Sequence, residues 1–338
     1  MSVPYHGGAL DKAIAEFGGE RSNWLDLSTG INPHVYPLAA TSMKALHRLP
    51  EQADLDHMLD AARQAYAIHE KLSIVAAPGT QALIELLPRL LPGKTATIVA
   101  PASGTYREHA NCCEKAGRDL REVSDPDQVG DDEQLVILVR PNNPDGSVVA
   151  RDAVLTLGRR LHGKGGHLIV DEAFCDCAPG DSLAGEASPG VIILKSFGKF
   201  FGLAGLRLGF AICEAGLADR ISRCFGPWAI SGPAIEAGIA AYGDGNWIAT
   251  MRKQLAQESN ELAVVLENSG LEIFGRNGLF VLAGHEHAEQ IFRGLARRHV
   301  LVRPFPDKPR LLRFGLPETP AALNRLQLAL SQVLDELQ

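Results

Sequence analysis

Between residues 95 and 213 the chain repeats one rhythm: a short run apolar on both faces, then a stretch with helical spacing. The runs are "TATIVAP", "QLVILVRPNNP", "HLIVDEAF", "VIILKSF" and "RLGFAIC". Such runs, separated by helices, predict buried parallel strands of an α/β sheet. Upstream, "DLDHMLDAARQAYAIH" carries apolar residues at helical spacing, and "PGTQALIELLPRLLPG" (78–93) reads as a turn and a helix start capped by Thr80. The character changes near "FGPWAISGPAIEAG" (225–238). A long helical pattern follows, then "LEIFGRNGLFVLAG", a helix, "HVLVRPF", "RLLRFGL" and a closing helix. These elements predict a three-layer αβα large domain with a mostly parallel sheet, plus a smaller α+β C-terminal domain. The expected division is an N-terminal arm or small-domain segment over 1–30, a large domain over 31–229 and a small domain over 230–338.

Composition narrows the function more than the fold. The 338 residues suffice for one large core and a smaller domain, and 46% hydrophobic with 22% charged describes a soluble globular protein. A net charge of -7 gives a nucleic-acid partner no electrostatic support from the whole chain. No long uncharged apolar run occurs, and the N-terminus lacks an apolar core of signal-peptide length. The expectation is a cytoplasmic protein without a membrane partner. The six cysteines are scattered, and Cys175-Asp176-Cys177 lacks a second pair, so no metal site is expected. Neither GxGxxG nor GxxxxGK[ST] is present, which removes the main signals for nicotinamide and P-loop chemistry.

Ligands of open α/β sheets gather at the carboxyl ends of strands. The polar residues there are "PNNPDG" (141–146), "DEAF" (171–174) and "SFGK" (196–199). A carboxylate at the Asp171 strand tip, largely out of water, needs a cationic partner. Either Lys199 supplies it as a buried ion pair, or Asp171 faces a protonated ring nitrogen and Lys199 is freed to react with an aldehyde. Pyridoxal phosphate needs both groups and an anion site. The helix start at Gly79, Thr80 and Gln81 offers N–H groups and a positive helix end. Ser196 adds a hydroxyl, Arg207 a fork suited to phosphate, and Asn143 a donor for the ring's phenolic oxygen. Lys195 reads as a surface charge.

Taken together, "PGTQ", "RPNNPDG", "VDEAF", "SFGKFFGLAGLRLG" and "LLRFGLP" resemble fold-type I pyridoxal-phosphate enzymes of the class I/II aminotransferase kind. The likeness covers nearly the whole chain. It implies Lys199 holding the cofactor's aldehyde, Asp171 on the pyridine nitrogen, Asn143 on the phenolic oxygen, and Gly79, Thr80, Ser196 and Arg207 around the phosphate. It also implies Arg313 on a substrate carboxylate. Phe174 stands where relatives often carry a tyrosine. For the ring-stacking aromatic, simple spacing offers Ser103; aligning on "YREH" offers Tyr106, which is preferred.

"YHGG", "DLSTGINP", "RLPE", "GPWAISGPA" and "VRPF…LLRFGLP" further resemble the threonine-phosphate decarboxylase branch used in cobalamin biosynthesis. That likeness implies decarboxylation of a phosphorylated amino acid by a homodimer. The second phosphate needs more cations, for which His6, Arg303 and Arg313 are the candidates, with Gly30 and Asn32 nearest the substrate. An aminotransferase acting on histidinol phosphate is the competing reading. A third is a binding partner of the pathway's linker-attaching synthase, against which Lys199 and Asp171 argue.

Overall fold

The computed structural model describes residues 7–130, 132–186 and 189–337. In chain order its strands are β1 (Leu25–Asp26), β2 (Ser73–Ala77), β3 (Thr95–Val99), β4 (Asp119–Val123), β5 (Leu135–Val139), β6 (His167–Asp171) and β7 (Val191–Ser196). They continue with β8 (Gly209–Cys213), β9 (Glu272–Asn277), β10 (Phe280–Gly284), β11 (Val300–Leu301), β12 (Arg303–Pro304) and β13 (Leu311–Gly315). The chain forms two compact units. One comprises Val35–Asn143 and Ser147–Thr250; the other comprises Met1–His34, Pro144–Gly146 and Met251–Gln338.

The larger unit is built on a seven-stranded sheet of order β2-β8-β7-β6-β5-β3-β4. Neighbours from β7 through β6, β5 and β3 to β4 run parallel. Every residue of β5 and β7 is buried, as strands covered on both faces require. The run "RLGFAIC", expected to be parallel, is instead β8, antiparallel to both β7 and β2. Residues 197–208 hold one helical turn, Phe197–Phe200, and a 3-10 turn. No helix there is long enough to carry the chain back along the sheet, so it turns and returns.

Two strands carry weaker signals than the quoted runs. β4 lies at the sheet edge with only Val123 buried, so its sequence "DLREV" lacks the two-faced apolar signature. At the other edge, β2 opens with a polar serine, continues only as "IVAA", and runs directly into the Pro-Gly turn. Beneath one face, Leu83, Ile84 and Leu87 of the helix Thr80–Leu90 pack with Ile98, Ile137, Ile169 and Ile192 into a continuous core. The helix Gly232–Gly243 also belongs to this unit.

The smaller unit carries an antiparallel sheet of order β12-β13-β10-β9 and the parallel pair β1-β11. The loop after β1 lies directly on β13. Gly315 N–H donates to Leu27 O at 2.7 Å, and a Cβ on Gly315 would collide with Thr29 O. No helix among the described residues is long and apolar enough to cross a membrane.

Candidate active site

In the larger unit, Pro78-Gly79 leads from β2 into the helix Thr80–Leu90. Thr80 is the first helical residue, not the cap expected from the sequence; Gly79 takes the cap position. The reason is steric. Gly79 has φ +83°, and a Cβ on it would stand 2.6 Å from Arg207 Nη2. The absent side chain lets a guanidinium lie against the N-terminus of an eleven-residue helix, where the dipole favours an anion.

Arg207 itself is left-handed at φ +54°, and its Nη1 donates to Ala204 O at 3.2 Å. A non-glycine residue in that region costs about 1–3 kcal/mol, which is retained most often at functional turns. Gly209 pairs with Ser196 across β8 and β7, and a Cβ on Gly209 would lie 2.6 Å from Thr80 N. Through these two glycines Gly79, Thr80, Ser196 and Arg207 converge. Helix N–H groups, a hydroxyl and a guanidinium together fit a phosphate.

Asp171 ends β6 with its carboxylate buried. His109 Nε2 lies 2.9 Å from Asp171 Oδ2, both side chains nearly out of water, and Ala173 N–H donates to Oδ1 at 3.0 Å. Two partners therefore fix the plane of the carboxylate. His109 comes from the helix Glu108–Lys115 and was not legible in the sequence, where a single histidine in "YREHAN" carries no signal. Its ring meets Tyr106 edge-on at 6.0 Å, and Tyr106 OH donates to Gln81 Oε1 at 3.4 Å. Ser103 Oγ instead donates to the adjacent Gly104 O at 3.5 Å.

Asn143 is buried in the loop after β5. Its neighbour Asn142 accepts from Thr105 Oγ1 at 2.7 Å and donates to Gly104 O at 3.0 Å, tying that loop to the one bearing Tyr106. Lys199 sits in the turn Phe197–Phe200, its Nζ 5.6 Å from the centre of the Phe174 ring. This amine thus lies beside the loop that begins at Asp171.

Lys195 is not the surface charge its spacing suggested. It is 1% exposed, and its Nζ lies 2.7 Å from Glu172 Oε2. Burial alone would push its pKa down, but Glu172, Cys175 and Asp176 outweigh burial and hold it above the ordinary lysine value. A pairing signal was available: Lys195 and Glu172 are charges placed at matching ends of adjacent apolar runs.

The remaining site candidates divide by unit. Gly30, Asn32, Arg303 and Arg313 belong to the smaller one; His6 lies outside the described residues. Arg303 and Arg313 are directly opposite across β12 and β13. Arg313 is buried, donates from Nη2 to Ser28 O at 3.1 Å and stands 5.0 Å from the Phe280 ring centre. Arg303 stands 5.4 Å from the Phe305 ring centre. Asn32 is buried, and its Oδ1 accepts from His34 N–H at 2.9 Å. The loop quoted as "DLSTGINP" is thus brought against Arg313.

Known proteins resemble this chain in sequence and in fold. A threonine-phosphate decarboxylase of Sinorhizobium sp is 41% identical over 337 residues, 98% of this chain and 99% of that protein. The enzyme of that name from Pseudomonas aeruginosa is 38% identical over 328 residues, 96% of each chain. The histidinol-phosphate aminotransferase of Sinorhizobium meliloti, solved with pyridoxal-5'-phosphate, superposes with a TM-score of 0.81 at 21% identity, over 100% of this chain and 96% of that one. Residues 25–328 match the family model for aminotransferase class I and II, and the chain belongs to that family.

Proposed function

We propose that the protein decarboxylates L-threonine O-3-phosphate to (R)-1-amino-2-propanol O-2-phosphate and carbon dioxide, acting in the cytoplasm in cobalamin biosynthesis. The observation that carries this reading is the near full-length likeness to two threonine-phosphate decarboxylases. The cofactor is pyridoxal 5'-phosphate, which when bound supplies a sink for the electron pair left on Cα.

The chain's own groups divide the remaining work. Gly79, Thr80, Gln81, Ser196 and Arg207 hold the cofactor's phosphate. Tyr106 covers its ring, Asn143 donates to its phenolic oxygen, and Asp171, oriented by His109, keeps its nitrogen protonated. Lys199 Nζ would hold its aldehyde, and the same amine is the group that could deliver a proton to Cα. Breaking the Cα–carboxylate bond releases carbon dioxide, and that proton completes the amine product. The grip on the substrate's two anionic ends would set which bond at Cα is oriented to break, and so would select the reaction. Arg303 and Arg313, with Gly30, Asn32 and His6, make that grip. Two facing guanidinium groups suit a substrate bearing both a carboxylate and a phosphate.

Product analysis tests the reading. Threonine phosphate without any keto acid should yield carbon dioxide and aminopropanol phosphate. Keto-acid formation without carbon dioxide would promote the aminotransferase on histidinol phosphate or a related compound.

The enzyme is a homodimer in this reading. Met43, Leu46, Leu49 and Trp228 each expose more than half of their surface, which a partner subunit would cover. Sedimentation should give a dimer at assay concentration, and a fully active monomer would reject it.

A further inference from the structure

β7 ends in two consecutive polar residues, and side chains alternate faces along a strand. Ser196 belongs to the phosphate cradle. Lys195 faces the other way, into a closed polar cluster. Its Nζ lies 2.7 Å from Glu172 Oε2, 3.7 Å from Asp176 Oδ1 and 3.0 Å from Ser182 Oγ. It also stands 4.8 Å from the centre of the Tyr66 ring. Glu172 accepts from Ser182 Oγ at 2.7 Å and from Leu183 N–H at 2.8 Å. Tyr66 OH donates to Asp176 Oδ2 at 3.3 Å and shares a 2.7 Å bond with Tyr242 OH. Burial, reinforced by Asp176, pushes the ionisation of both phenols well above their ordinary value, so they stay neutral donors.

Net stability is a weak reason for such a cluster, because an apolar pair in place of a buried ion pair often serves as well. Its position offers a better one. Glu172 directly follows Asp171, and its N–H donates to Leu194 O at 2.9 Å. Lys195 directly precedes Ser196. The ion pair therefore fastens the tips of two adjacent parallel strands at the level where the site residues leave them. Tyr242 extends the fastening, its ring centre 5.4 Å from those of both Phe197 and Phe201, which flank the Lys199 turn.

We propose that Lys195 is a positioning residue: paired with Glu172, it sets the separation of Asp171 from the Ser196–Lys199 turn and so tunes the bound cofactor without touching it. This rests on the proposed cofactor roles of Asp171, Ser196 and Lys199.

Holoenzyme of the unmodified protein, Lys195→Met and Glu172→Gln tests it. Borohydride reduction of the unmodified protein, followed by peptide mapping, examines the underlying reading by itself, since a label away from Lys199 removes that reading. In Lys195→Met the pH midpoint of the bound cofactor's absorbance change should move. Its kcat should fall about 10²-fold with KM little changed, as for a misplaced rather than missing group. Glu172→Gln should displace the midpoint in the same direction. A lower melting temperature with unaltered midpoint and kcat would mark a merely structural pair and overturn the proposal. If Lys195→Met does not fold, Glu172→Gln decides by the same two readouts.

Discussion

Lys195 in the larger unit and Arg313 in the smaller one are buried alike, 1% and 3% exposed, yet their surroundings differ in kind. Lys195 sits among carboxylates, Glu172 at 2.7 Å and Asp176 at 3.7 Å, and its charge is answered by the segment that follows β6. Arg313 stands opposite another guanidinium, Arg303, with a backbone carbonyl and the Phe280 ring beside it. Like charges directly opposite across a sheet are unfavourable, and an anion lying between them reverses the sign. The first arrangement sets a cation among acids; the second sets two guanidinium-bearing residues in register, where an anion between them would be favoured. What surrounds a buried cation, more than its depth, separates a fastening from a grip.

The contrast can be broken from either side. The largest effect is expected in the strand-tip site, from Asp171→Asn. The amide keeps the volume and a bond toward His109 but loses the charge proposed to hold a ring nitrogen protonated. Turnover should fall by about 10³-fold, the scale of removing a stabilised transition-state charge, while the melting temperature stays near that of the unmodified protein. Near-normal turnover in the folded variant would remove the role assigned to Asp171.

Arg313→Lys probes the other side. Lysine keeps the charge and loses the fork, so the substrate would be held but no longer in one orientation. A fall of about 10²-fold in turnover is expected, the scale of a misplaced reacting group. Slow keto-acid formation from threonine phosphate should accompany it, because a loosened substrate samples conformers with Cα–H perpendicular to the ring. Unchanged turnover would make Arg313 a framework residue with no part in the grip.

The strand-tip site was the legible part of the sequence. Asp171 and Ser196 each end an apolar run, and those runs end together because the strands lie in one sheet. Ser196 and Asp171 could therefore be placed from their own neighbourhoods. His109 could not, since it reaches Asp171 from a helix, and nothing local marks which buried carboxylate a helical histidine will meet. Lys195 was misread for a related reason: it was weighed by its spacing along one strand alone, whereas the acid it meets, Glu172, stands at the end of the next apolar run. The direction of β8 was misread because apolar runs specify burial and leave strand polarity to the connection. In the smaller unit the arginines were visible as residue types, but their facing register depends on the β12–β13 pairing, which no motif encodes.

The smallest effect is expected at Gly79, and it separates backbone from ligand. Gly79 has φ +83° and ψ 156°, a region nearly closed to side chains, so alanine there should cost about 1–3 kcal/mol of stability. Its Cβ would also meet Arg207 Nη2 at 2.6 Å. Arg207 is an exposed, long side chain, so its guanidinium can swing away, and the helix start would then face an anion without it. Two measurements on Gly79→Ala distinguish the consequences. The melting temperature of the apoprotein reads the backbone cost. Titration of the apoprotein with pyridoxal phosphate reads the cradle, where displacement of one charge-assisted contact should weaken affinity about tenfold, or about 1.4 kcal/mol. Loss of stability with unchanged cofactor affinity would mean that Arg207 rests against the helix for structural reasons and takes no part in holding the cofactor.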